Sequence, residues 1–202
     1  MENSIVYIGK NILQSQSDIL TPMAVYSVYQ RIREDQDLKE ETQRLRKIAM
    51  VDQKAYTRVK TRLPFICCAR FRNGIRNSMN FEAIQSFILD LDRIGTPEVL
   101  ASIRDMMVKD PAVKLCYLSP GGKGLKLLFD LKDPCDSLKK FTDFYKTFSF
   151  RFAELYRLQD FVDFSTCDAT RVSFLGHDPD VWYNSINEPV DMAVYLPVEL
   201  EL

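Results

Sequence analysis

Residues 113–131 read VKLCYLSPGGKGLKLLFDL. Two apolar runs flank a short loop that holds Gly121, Gly122 and Gly124. Apolar runs bounded by Gly and Pro read as strands, and so short a link makes them an antiparallel hairpin. This constrains the fold more than any other feature, because a doubly wound parallel sheet needs a crossover between consecutive strands. The flanking segments fit the same reading. PFICCARF (64–71), FILDLD (87–92) and VSFLG (172–176) read as strands. TPEVLASIRDMMVKD (96–110) reads as a helix capped by Thr96, with Pro97 in its first turn and Pro111 beyond its end. SLKKFTDFYKTFSFRFAELYRL reads as a long amphipathic helix rich in aromatic residues. From residue 64 the order is strand, strand, helix, strand, strand, helix, strand, which favours an α+β fold. From Phe87 it is β-α-β-β-α-β, the ferredoxin-like (RRM) order.

The first third has a different texture. A short strand is expected near 4–8. Thr21 and Pro22 fit the N-cap and first position of a helix through TPMAVYSVYQRIRED. A second helix through DLKEETQRLRKIAM has Leu38, Leu45, Ile48 and Ala49 on one stripe, and helix continues to about Lys60 before Pro64 stops it. The expected division is a helical N-terminal module, 1–62, and a core, 63–202, in one compact unit. The tail from Asp178 carries Pro179, Pro189 and Pro197; it should wrap the surface, with a strand near MAVYL.

With 46% apolar and 27% charged residues among 202, the chain can bury a real core and is neither disordered nor membranous in class. No apolar run approaches a membrane span, and the N-terminus lacks the basic-then-apolar pattern of a secretory signal. A soluble, cytoplasmic protein with no membrane partner is expected. The five cysteines, Cys67, Cys68, Cys116, Cys135 and Cys167, include no CxxC pair. That spacing argues against a zinc site or a disulfide framework and for small core residues in a reducing compartment. The net charge of −1 argues against a basic coat for nucleic acid. Yet no acid occurs between Asp52 and Glu82, a stretch holding Lys54, Arg58, Lys60, Arg62, Arg70, Arg72 and Arg76. It reads equally as a phosphate-attracting field and as a solvated basic face.

Three clusters could carry chemistry. Asp90 and Asp92 end an apolar strand one residue apart and so share a face. Like charges that close are favourable only with a cation between them; a divalent metal or a plain surface turn would each explain the pair. The loop SPGGKGLK offers backbone amides for an anion, with Ser119, Lys123 and Lys126 beside them, or is simply a hairpin turn. It lacks the spacing of a Walker A loop. The segment 162–184 holds Asp163, Asp168, Arg171 and Asp178, either a structural ion-pair network or a third metal carboxylate with a phosphate-binding arginine. His177, the only histidine, reads as a turn residue. Neighbouring strand ends can bring the three clusters together. Carboxylates for a divalent metal beside lysine and arginine are the equipment of nucleotidyl transfer. A phosphatase of the haloacid dehalogenase type would carry its DxD near the N-terminus, followed by alternating βα units, and that order is absent.

Across nearly its whole length the chain resembles the archaeo-eukaryotic primase superfamily. Within it, the N-terminal primase-like domain of virulence-associated protein E and related mobile-element primase-helicases is most similar. The likeness rests on Lys60-Thr61-Arg62-Leu63-Pro64, FILDLD, SPGGKGLK and DFSTCDATRVSFLGHDP. The resemblance implies a DNA primase or polymerase domain serving mobile-element replication. It implies Mg2+ or Mn2+ on Asp90, Asp92 and Asp163, these three being catalytic, with Asp168 as the competing third ligand. Lys126 matches the position where the superfamily usually has a phosphate-binding histidine. Ser119, Lys123, Lys126 and Arg171 would then hold a nucleoside triphosphate. Arg58, Lys60, Arg70, Arg72 and Arg76 would track a DNA template, and a helicase would be a partner. An inactive module binding nucleic acid or nucleotide beside a helicase is the alternative. Asp90→Ala is expected to abolish synthesis with little loss of folding, since it removes like-charge repulsion.

Overall fold

The structure, a computed structural model, describes residues 4–14 and 17–196. The N-terminal third contributes strands β1 (Ile5–Gly9) and β2 (Thr21–Ala24), then helices α1 (Val25–Glu34), α2 (Gln36–Ala49) and α3 (Gln53–Lys60). Strands β3 (Phe65–Cys67), β4 (Ala69–Phe71) and β5 (Phe81–Leu91) follow, then α4 (Pro97–Met107), β6 (Val113–Leu118) and β7 (Leu125–Cys135). Helix α5 (Leu138–Tyr156) and short strands β8 (Val172–Phe174) and β9 (Trp182–Tyr183) complete the order. The strands form two antiparallel sheets, β2-β1-β3-β8 and β4-β5-β7-β6-β9.

The mixed α/β class and the β6–β7 hairpin are as expected, but the ferredoxin-like sheet is not completed. The chain order β5-α4-β6-β7-α5-β8 is present. However, β8 pairs with β3 in the smaller sheet, and β4 takes the edge beside β5. Element order does not choose a strand's partner; side chains do. Phe174 meets Phe65 edge to face at 6.2 Å, and Ser173 shares a 2.9 Å hydrogen bond with Tyr117 of β6, so β8 lies where the two sheets face each other.

Other boundaries shift for local reasons. PFICCARF is not one strand: at Cys68 the chain passes from the smaller sheet to the larger. Cys67, Cys68 and Ala69 are all buried, so no alternation marks the crossing. Thr21 and Pro22 do not start a helix. They lie in β2, where Pro22 faces Tyr7 on a sheet edge that does not need its missing N–H; α1 begins at Val25 without a side-chain cap. The helix after Met50 is a separate one, restarted by Asp52, whose side chain accepts from the amides of Lys54 and Ala55. The expected strand at MAVYL is a 3-10 turn, Met192–Val194, capped by Asp191. Pro197 lies outside the described residues.

The core under β5 and β7 is aromatic. Phe87 and Phe129 are cross-strand partners with rings stacked at 5.2 Å. Phe144 and Phe148 of α5 meet Phe87 edge-on at 5.3 and 4.9 Å, and Phe152 meets Phe129 at 5.4 Å. This stripe at helical spacing clamps α5 to the middle of the sheet, each ring pair adding about 0.5–1.5 kcal/mol beyond burial. The cysteines are unpaired thiols, all buried except half-buried Cys167. Burial pushes the Cys67 and Cys116 thiols up to about 12, so neither is a thiolate at neutral pH. Among the described residues no helix is long and apolar enough to cross a membrane.

Candidate functional site

The β5–β7 register sets Asp90 opposite Lys126 and Leu91 opposite Leu125. Lys126 Nζ donates to Asp90 Oδ1 at 2.7 Å, and both side chains are largely buried. A cation therefore does sit at the paired aspartates, and it is the protein's own. A second backbone pairing extends the strand end. Leu91 bridges antiparallel to Val162, Asp92 N donates to Phe161 O at 2.7 Å, and Asp163 N donates to Asp90 O at 3.0 Å. Buried Leu91 and Val162 share the core-facing side, which leaves Asp163 across from Asp90 on the other. The first and third clusters are thus joined by main chain.

Tyr145 of α5 holds that junction from below. Its hydroxyl donates to Ile88 O at 3.0 Å and lies 2.6 Å from Thr166 Oγ1, which donates to Asp163 O at 2.8 Å. The Asp163 carboxylate turns into its own loop, accepting from Ser165 N at 3.0 Å and Ser165 Oγ at 2.6 Å. Partial burial works to raise its pKa. The Ser165 bonds, with Arg171 and Arg93 nearby, outweigh burial and hold the carboxyl below the usual range. Asp168 is likewise tied to the amide and hydroxyl of Thr170, both at 2.8 Å. Arg171 is exposed and donates to Ser165 O at 2.9 Å. A cavity of about 30 Å³, room for one water, is lined by Asp90, Tyr145, Thr166, Asp168 and Arg171 among others.

The glycine loop closes the other side. A side chain at Gly124 would meet Leu91 O at 2.2 Å and Asp92 Oδ1 at 3.1 Å, so only glycine lets the loop lie against the carboxylate end of β5. Lys123 O accepts from Ile94 N at 3.0 Å, and Gly122 takes the left-handed φ of +75°. Ser119 is half-buried and Lys123 exposed. The helical third forms the outer wall. Arg46 donates to Pro120 O at 3.1 Å and to His177 O at 3.2 Å. The Tyr56 hydroxyl stands 2.7 Å from where a Gly121 Cβ would be. Lys60, at the end of α3, points its ammonium over the rings of Phe174 and Tyr56, at 5.6 and 6.0 Å. Burial lowers its pKa, as does Lys126, while Asp92 and Asp90 work to raise it.

The acid-free basic stretch is dispersed. Arg70 is ion-paired with Glu82 at 2.9 Å, and Arg76 donates to Thr170 O at 3.3 Å over the Phe65 ring. Arg58 and Arg72 are exposed, whereas Lys60 is half-buried over the Tyr56 and Phe174 rings. Asp178 is structural: it takes a two-armed contact from Arg104, at 2.9 and 3.3 Å, and caps Leu118 N at 2.7 Å. His177 accepts Arg46 at its carbonyl, and its ring meets Arg33 O at 3.2 Å. Arg46, Tyr56, Arg93 and Tyr145 had no signal in the sequence, because each reaches the site through contacts between distant elements.

Among the described residues no three Asp, Glu, His or Cys side chains converge closely enough to hold a metal ion. The donor chemistry at the strand end still suits a hard divalent cation. Asp90 and Asp92 offer carboxylate oxygens, and Asp90 already holds an ammonium at 2.7 Å. A third carboxylate would require Asp163 to release Ser165, or Asp168 to release Thr170.

The fold and site define a mixed α/β domain with an acidic strand end, a facing lysine and a glycine loop. The chain belongs to the family of BT4734-like N-terminal domains, whose model matches residues 58–183. That span takes in Lys60, both aspartate clusters and the loop. No curated protein matches the chain. Among solved structures it is similar to the primase-polymerase (PrimPol) AEP domain of cyanophage S-2L. The identity is 12% and the TM-score 0.45, over 96% of this chain and 90% of that one. It is also similar to the polymerase domain of ligase D from Mycobacterium tuberculosis, in complex with DNA. There the identity is 19% and the TM-score 0.42, over 60% of this chain and 49% of that one.

Proposed function

We propose that the chain is a nucleotidyl-transfer domain of the primase-polymerase kind, joining nucleoside triphosphates on a DNA template with Mg2+ or Mn2+. The observation that carries this reading is the placing of Asp163 across from Asp90, beside Asp92, with Lys126 and the glycine loop on the adjoining strand. Asp90 and Asp92 would hold the metal, with Asp163 or Asp168 as third ligand. When bound, such an ion supplies positive charge for the attacking 3′-oxygen and the leaving pyrophosphate. Lys126, released from Asp90, meets the triphosphate as a charge-assisted donor. Ser119 and the glycine loop line its path, and exposed Lys123 and Arg171 flank it. The exposed Arg58 and Arg72 would meet a template. The motif likeness to virulence-associated protein E extends the reading to mobile-element replication beside a helicase.

A non-catalytic nucleotide-binding module is the second reading. It is favoured by Asp90 being neutralised by Lys126 and by Asp163 being held by Ser165. Manganese-dependent binding of a labelled nucleoside triphosphate, followed by primer synthesis on several templates, separates the two. The transferase reading expects binding and incorporation, both lost in Asp90→Asn with Asp92→Asn. Binding without incorporation selects the module, and no binding by the wild type overturns both.

A further inference from the structure

Lys60 differs from Lys126, Arg46 and Arg171, which are bound to acceptors, and from Arg93 and Lys123, which are exposed. Lys126 is paired with Asp90, Arg46 is held by two carbonyls, and Arg171 is held by Ser165 O. The Lys60 ammonium is half-buried and, among the described residues, has no carboxylate or carbonyl acceptor; only the faces of Phe174 and Tyr56 attend it. Ring faces stabilise a cation but leave its N–H donors unused. A partly desolvated lysine with donors unspent is favourable where an anion is to arrive.

The surroundings say which anion. Lys60 lies within the electrostatic reach of Lys126, Asp90 and Asp92, and its ring partner Tyr56 abuts Gly121 of the loop. Without a ligand, two lysines balance two aspartates. A divalent ion at the aspartates leaves an excess of two positive charges, concentrated at one loop. An extended phosphodiester backbone spreads its charge one unit per nucleotide, whereas a polyphosphate gathers three or four in one place. Arg70 and Arg76 of the same stretch lie on other elements, paired with Glu82 and Thr170, and Lys54 and Arg58, although on α3 with Lys60, are exposed where Lys60 is half-buried.

We infer that Lys60 is a second polyphosphate-binding lysine, contributed by the helical third and acting opposite Lys126 on the triphosphate of the incoming nucleotide, not on template. The inference rests on the proposed nucleotidyl-transfer reading and adds α3 to the nucleotide site.

The test uses the whole chain with Mn2+, a labelled nucleoside triphosphate, inorganic tripolyphosphate as competitor and a single-stranded DNA oligonucleotide. Lys60→Met keeps the stem against Phe174, and Lys60→Arg keeps the charge. Expected for Lys60→Met is about tenfold or greater weakening of both triphosphates, the loss of one charged hydrogen bond. Oligonucleotide affinity and the melting temperature should stay unchanged, and Lys60→Arg should restore part of the affinity. Unchanged triphosphate affinity in Lys60→Met, or an equal loss for the oligonucleotide, overturns the assignment. If Lys126→Met loses triphosphate binding while Lys60→Met keeps it, only the role of Lys60 falls. If the wild type binds neither triphosphate, the nucleotidyl-transfer reading falls and takes this one with it.

Discussion

The main-chain N–H of Asp163 donates to the carbonyl of Asp90 at 3.0 Å, so two aspartates far apart in sequence are paired across the strand end through their main chains. The side chain that secures this contact is Tyr145, through Ile88 O and Thr166. Tyr145→Phe removes both contacts and takes the hydroxyl donor from Ile88 O. The expected cost is about 1–3 kcal/mol, lowering Tm by about 3–10 °C. Metal-dependent nucleotide binding should weaken as well, since the Asp163 turn is released. A melt and a binding titration on the same preparation check both.

Asp90 and Lys126 form a largely buried ion pair, which changes what Asp90→Ala means. Repulsion with Asp92 is not the main quantity lost; the substitution leaves an ammonium buried without its partner. About 3 kcal/mol of destabilisation is expected, so the sequence-based expectation of little folding cost is corrected. Asp90→Ala with Lys126→Met should be more stable than the two single losses added together. Denaturant unfolding of the four proteins in a double-mutant cycle measures the coupling. Additive losses would mean that the pair contributes nothing.

Gly124 and Gly95 make a matched contrast. An added methyl at Gly124 meets Leu91 O at 2.2 Å, and backbone does not yield cheaply, whereas at Gly95 nothing lies within 4 Å. Gly124→Ala should cost about 1–3 kcal/mol or more and displace the loop from Asp92. Gly95→Ala should be neutral or stabilise slightly, by less than about 1 kcal/mol. Unfolding curves with triphosphate titrations distinguish a stability loss from a site loss.

The thiols predict both reactivity and alkaline behaviour. At neutral pH Cys167 should be alkylated first, because Cys67, Cys68, Cys116 and Cys135 are buried. Burial raises Cys67 and Cys116 from 9.0 to about 12 in the folded chain. Their contribution to stability is therefore full below pH about 9 and is lost as pH rises towards about 12. Mass mapping after brief iodoacetamide treatment tests the first point. Chemical denaturation from pH 8 to 11 tests the second, where a flat profile would contradict it.

Much of the fold was legible because local rules decide it. The Thr96 cap with Pro97, the aromatic stripe of α5, the hairpin around Gly121 to Gly124 and the alternation in FILDLD each follow from residues close in sequence. The misreadings share one cause. Thr21-Pro22 fits a helix start and an edge strand equally well, and PFICCA carries no period to show that it changes sheets at Cys68. The rank of β8 along the chain did not reveal that its partner is β3.

The candidate site divides the same way. The sequence by itself determined that Asp90 and Asp92 share a strand face, that glycines precede Lys126 on the next strand, and that Asp163, Asp168 and Arg171 lie close together. Only the tertiary structure decided that Lys126 neutralises Asp90, that Asp163 stands across from Asp90, and that Arg46 and Tyr56 wall the loop with Lys60 over the Tyr56 ring. Local pattern follows from the alternation of side chains and the conformational needs of glycine and proline. Partnership across the molecule follows from which surfaces can be buried together, and that is a property of the whole packed chain.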